Sequence, residues 1–118
     1  MRKTLLLITM FLSFVTASFA QNDYYIKKAQ SYQREAEYYQ KKAESYRREA
    51  SYYLKKAESY QREAAYYTKR GYIGRAKTQS RYAENAMSKY KTQLRYASDA
   101  NDKAAMYLRW VADALKKQ

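Results

Sequence analysis

The sequence predicts an all-α protein, a long antiparallel coiled-coil helical hairpin that self-associates into a bundle. Three observations predict it. A fourteen-residue unit recurs through the first half as YYIKKAQSYQREAE, YYQKKAESYRREAS and YYLKKAESYQREAA, before a fourth copy degrades. Fourteen residues are two heptads, the period of a helix that keeps one seam against a partner. The chain has no Pro and two Gly, Gly71 and Gly74, so helix breakers gather at one point.

Residues 1–20 read MRKTLLLITMFLSFVTASFA, with Arg2 and Lys3 ahead of an apolar run and with Ser18 and Ala20 placed as in a cleavage site. This pattern is that of a secretory signal peptide. A membrane anchor is the alternative, but the run is short for a span. Beyond it the one apolar stretch, residues 106–115, is short and broken by charge, so no membrane span is expected after signal removal. The expected location is secreted and extracellular, or the periplasm or envelope in a bacterium. The formal charge is +13, and taking away Arg2 and Lys3 leaves +11. There are sixteen Tyr and one Trp, and all three Phe fall inside the leader, so the remaining aromatic surface is phenolic apart from Trp110. The absence of Cys means an exported chain cannot rely on disulfides.

The first helix is expected over residues 21–70, capped near Asn22 and Asp23 and ended by Lys69, Arg70 and Gly71. Ala29, Ala36, Ala43, Ala50, Ala57 and Ala64 recur every seven residues. Tyr25, Tyr32, Tyr39, Tyr46, Tyr53, Tyr60 and Tyr67 follow each three or four residues away, so Ala takes position a and Tyr position d of a heptad seam. The g positions alternate in sign as Lys28, Glu35, Lys42, Glu49, Lys56, Glu63 and Arg70, beside a mostly neutral e row. Antiparallel coils pair g with g, so two copies of this helix could set Lys28 against Glu63 and Lys42 against Glu49.

Residues 71–74 are read as a turn and 75–118 as a second coiled-coil helix. Its seam is expected along Ala83, Met87, Tyr90, Leu94, Ala97, Asn101, Ala104, Leu108, Val111 and Leu115. A fold-back at the glycines would bring Ala64 opposite Ala83, Tyr60 opposite Met87, Tyr53 opposite Leu94, Tyr46 opposite Asn101, Ala50 opposite Ala97, Tyr39 opposite Leu108 and Ala36 opposite Val111. One continuous rod is the alternative. Tyr24, Tyr38, Tyr52 and Tyr66 lie beside the first seam, and Tyr82, Tyr96 and Trp110 beside the second. These rings widen the apolar face beyond what two strands cover, so they are expected to pack between hairpins in a homo-oligomer or to serve in stacking or cross-linking.

Catalysis finds little to work with. The chain has no His and no Cys, hence no common general base near neutrality, no thiol nucleophile and no soft metal site. Glu35, Glu49 and Glu63 stand about 21 Å apart along a helix, too far to share a substrate atom. No enzyme activity, cofactor or metal is expected. The basic balance points instead to anionic partners, an acidic polysaccharide or an acidic matrix protein, with Arg81, Arg95 and Arg109 as a sparse stripe beside Tyr82, Tyr96 and Trp110. Export makes nucleic acid a poor candidate for the main partner.

Regularly spaced Tyr and Lys on an exported rod suit oxidative cross-linking. In composition the chain after its leader resembles the tyrosine- and lysine-rich secreted proteins of animal extracellular matrices, such as mollusc shell matrix or adhesive threads. The resemblance implies a structural, self-assembling matrix component. A bacterial envelope coiled coil or a polyanion-binding protein is the alternative.

Overall fold

The computed structural model describes residues 23–117, and the expected signal peptide lies outside them. The described residues are almost entirely helical: α1 spans Asp23–Lys69 and α2 spans Ile73–Lys116. Among the described residues no helix is long and apolar enough to cross a membrane. Asp23 lies in the first turn of α1, where its charge suits the helix dipole, and pairs with Lys27 one turn on at 3.0 Å. Both side chains are exposed, so the pair contributes only a few tenths of a kcal/mol.

The turn is tighter than the four residues the sequence suggested. Gly71 takes a left-handed φ of 83°. Its N–H donates to the Thr68 carbonyl at 3.1 Å, and the Tyr72 N–H donates to the Tyr67 carbonyl at 2.9 Å. These are the two bonds of a Schellman ending, and the contact that often accompanies them is present as the Tyr67 and Tyr72 rings, 6.3 Å apart. The α2 backbone is already under way at Ile73, and the Ala76 N–H reaches the Tyr72 carbonyl at 3.0 Å. Gly74 therefore lies inside α2, and Gly71 alone reverses the chain.

The chain divides into two compact units, Ala43–Ser98 and the residues on either side of it. In Ala43–Ser98, α1 buries Ala43, Ala50, Ala57 and Ala64, and α2 buries Ala76, Ala83, Ala86 and Ala97. Tyr60 meets Tyr82 and Tyr46 meets Tyr96, each with ring centroids 5.4 Å apart, so the helices run antiparallel. The contacts are centred on Gly71: Tyr60 and Tyr82 each stand eleven residues from it, and Tyr46 and Tyr96 twenty-five.

The other unit joins the start of α1 to the end of α2. Ile26, Ala29 and Ala36 are buried on one side and Ala100, Ala104, Val111 and Ala114 on the other. Ala29, Val111 and Ala114 form a cluster flanked by Tyr32 and Leu115. Tyr32 meets Trp110 at 5.4 Å, and Tyr39 stacks on Tyr107 at 5.8 Å with 10° between the planes. Gln33 is buried at the e position, where its amide donates to Glu37 at 3.2 Å.

Two expectations are corrected. The expected α2 seam holds at Ala83, Ala97, Ala104 and Val111, which are buried, but between them Ala86, Ala100 and Ala114 are buried too, while Leu94 is 40% exposed and Met87, Tyr90, Asn101, Leu108 and Leu115 are half-buried. The register is shifted as well. Tyr60 faces Tyr82 and not Met87, Tyr53 lies under Lys89 and not Leu94, and Val111 clusters with Ala29. Each has its own cause. A reversal centred on Gly71 changes which residues meet, and an alanine row on α1 leaves room for small residues opposite it, so the larger ones move to the flanks.

The two glycines should respond oppositely to alanine. Gly71→Ala forces a Cβ into a left-handed conformation and should cost about 1–2 kcal/mol. Gly74 is helical, and an added Cβ meets nothing within 4 Å, so Gly74→Ala should stabilise by about 0.5–1 kcal/mol. Urea unfolding followed by circular dichroism reads both signs; a loss at Gly74 or a gain at Gly71 would contradict the turn described.

Candidate functional site

With alanine at a, the d tyrosines must supply most of the side-chain contact between the helices. A buried methyl contributes about 0.8 kcal/mol, against about 1.5–3 for a large apolar side chain. The d rings are half-buried, and alternate ones meet different partners. Tyr32, Tyr46 and Tyr60, fourteen residues apart, meet Trp110, Tyr96 and Tyr82, which are also fourteen apart. The three contacts share a 5.4 Å centroid separation and interplanar angles of 58–61°. Aromatic pairs of this kind add about 0.5–1.5 kcal/mol beyond area burial.

The intervening d rings meet cations. Lys103 lies over Tyr39 at 5.3 Å, Lys89 over Tyr53 at 5.5 Å, and Arg75 over Tyr67 at 5.8 Å. Arg75, Lys89 and Lys103 are again fourteen apart. The fourteen-residue spacing therefore recurs on both helices, with cation contacts at Tyr39, Tyr53 and Tyr67 set between the ring contacts, although Tyr39 also stacks on Tyr107 and Tyr67 also meets Tyr72.

A third set lies outside the helix pair. Tyr24, Tyr38, Tyr52 and Tyr66 are exposed at 48–67%, and each carries a cation from one turn later on α1. Lys28, Lys42 and Lys56 stand 5.2–5.6 Å from the ring centroids, and Arg70 stands 4.6 Å from its ring. The positive members of the g row thus have a partner on their own helix. Each c ring also meets the adjacent d ring edge-on, at 5.1–5.4 Å. The outer phenols are held in fixed directions by contacts on two sides.

Tyr82, Tyr96 and Trp110 were expected beside the seam and available for stacking. They do lie at the flank, 39–46% exposed, but with one side of each against an α1 tyrosine. Arg81, Arg95 and Arg109 are exposed, and Arg95 lies 5.9 Å from the ring of its neighbour Tyr96. Sequence reasoning missed Arg75, Lys89 and Lys103 as ring partners, and Tyr107. The recurrence of the three cations at fourteen residues was the available signal; Tyr107 has no repeat partner to announce it.

Tyr107 packs among Tyr32, Tyr39 and Trp110. Burial there, helped by the nearby Glu35 charge, raises its phenol above the ordinary tyrosine value. A hydrogen bond to Tyr52 raises the Lys56 ammonium in the same direction. Compared with known proteins, the chain matches no family model, no curated protein and no solved structure.

Both shifts fix the sign of the response to alkali. A group whose folded pKa lies above its unfolded value stabilises fully below the unfolded value and loses that contribution as pH rises through the folded one. Stability should be flat to about pH 9.5 and fall from about pH 10 upward. Tyr107→Phe should make the fall shallower. Urea midpoints measured from pH 8 to 11.5 check this, and equal slopes for Tyr107→Phe and the parent would remove Tyr107 from the account.

Proposed function

We propose that the protein is a secreted, non-enzymatic coiled coil that self-associates and serves as a structural component of an extracellular matrix. The reading rests above all on one observation: Tyr24, Tyr38, Tyr52 and Tyr66 stay exposed at fourteen-residue intervals after the alanine seam has been used within the chain. A second copy laid along this face would bury rings that each carry up to about 150–250 Å². The paired cations keep the face soluble in the free chain and set like charges at intervals, which disfavours registers that bring them together.

Export and the matrix setting rest on the leader-like residues 1–20 and on the tyrosine and lysine content. In such a setting the outer phenols are suited to covalent finishing. Two phenols each yield one hydrogen atom to a peroxide, which leaves as two waters, and one carbon–carbon bond joins the rings. The aligned spacing repeats that link about every 21 Å along a helix.

Sedimentation velocity tests self-association. The protein should sediment as a dimer or larger species at about 50 μM, and Tyr38→Gln with Tyr52→Gln should shift it toward monomer while leaving helicity intact. A parent that stays monomeric at that concentration would refute the reading.

A further inference from the structure

Two clefts of the same make open on the surface, one in each unit, each about 200 Å³. One is lined by Tyr25, Tyr32, Trp110, Lys28, Lys117 and Asp113. The other is lined by Tyr53, Tyr60, Tyr82, Lys56, Lys89 and Asn85. Each α1 residue of the first recurs 28 positions later in the second, and each α2 position has its counterpart 28 positions earlier, Trp110 replaced by Tyr82 and Asp113 by Asn85. That is two fourteen-residue units in opposite directions. The geometry recurs too: Tyr32 and Trp110 meet at 5.4 Å and 61°, Tyr60 and Tyr82 at 5.4 Å and 59°.

Each cleft thus combines a wedge of two tilted rings with two ammonium groups. A planar base is poorly clamped by rings set about 60° apart, because it can lie parallel to only one of them. A puckered pyranose presents C–H groups in several directions and can touch both faces. The two lysines call for an anionic substituent beside it. We propose that the two clefts bind acidic polysaccharide, a uronate ring seated in the aromatic wedge with its carboxylate taken by the lysine pair. The assignment deepens the matrix reading, on which it rests for its choice of partner. The clefts differ in an indole for a phenol and in one charge, and the charge makes it testable: Asp113 offsets part of the positive charge in the first, where the second has the neutral Asn85. The second is the stronger anion site.

Calorimetric titration of the purified protein with a galacturonate hexamer at about 0.15 M salt tests this. Lys56→Gln with Lys89→Gln should lower affinity about tenfold, whereas Lys55→Gln with Lys91→Gln, which removes the same charge outside the clefts, should change it less than about threefold. Asn85→Asp, which leaves both lysines in place, should weaken binding several-fold, and Asp113→Asn should strengthen it. Equal losses for the two lysine pairs would overturn the proposal in favour of diffuse charge. So would single-stranded oligothymidylate of equal charge binding as tightly as the hexamer. Sedimentation run in parallel separates the two readings. A monomer that binds the hexamer through Lys56 and Lys89 sinks self-association alone, and an oligomer whose binding ignores those lysines sinks the clefts alone.

Discussion

Alanine at every seventh position of α1 is the constraint on which the remaining contacts depend. A row of methyl groups allows a neighbouring helix to come near, and it leaves little side-chain area to hold that neighbour once it arrives. The tyrosines at d resolve this by reaching along the flank of α2 to rings or cations there. Small residues on α2 are then favoured where they oppose the row, which accounts for buried Ala83, Ala86, Ala97, Ala100 and Ala114, while Val111 is the one larger α2 side chain buried among the described residues. The same constraint explains why Leu94 is exposed although it is more apolar than its buried neighbours. Size selects most of the inner face of α2, and the apolar Ile26 and Val111 are buried near the free ends of the two helices.

The α1 pattern was legible from residue spacing alone. The alanines from Ala29 to Ala64 are buried and the d tyrosines half-buried where the heptads put them. The α2 pattern was legible in half, at Ala83, Ala97, Ala104 and Val111, because alternating steps of four and three place Met87, Leu94 and Leu108 on the seam and pass over Ala86, Ala100 and Ala114. Their recurrence at fourteen residues carried the information, but its meaning depends on the alanine row across from them. The turn was legible as a place and not as a geometry. Nothing in the residue types of Gly71 and Gly74 distinguishes a left-handed glycine from a helical one, and a choice between them moves every pairing that follows.

The tyrosines are better understood by position than by number. Tyr32, Tyr46 and Tyr60 meet α2 rings, Tyr39, Tyr53 and Tyr67 meet cations from α2, with Tyr39 also stacked on Tyr107, and Tyr24, Tyr38, Tyr52 and Tyr66 meet cations from their own helix and stay exposed. The first two groups hold the helix pair. The third is exposed beside cations and rings of its own helix, and the proposed assembly with further copies would give its regular spacing a purpose. The alternating charges of the g row acquire a local reason in the same way: Lys28, Lys42 and Lys56 each cover a ring one turn away. An apparent code for pairing between copies is, at its positive positions, a contact within one helix.

The central claim is that the reversal at Gly71 brings specific α2 rings against specific α1 rings. Trp110 is the only indole in the chain, so its ring protons can be followed without ambiguity. Nuclear Overhauser spectra should show the indole in contact with the ring of Tyr32 as well as that of its helix neighbour Tyr107. The contact should persist within one molecule when labelled and unlabelled chains are mixed, and it should vanish in Tyr32→Leu. An indole that meets no α1 ring, or one that reaches Tyr32 only between chains, would contradict the account.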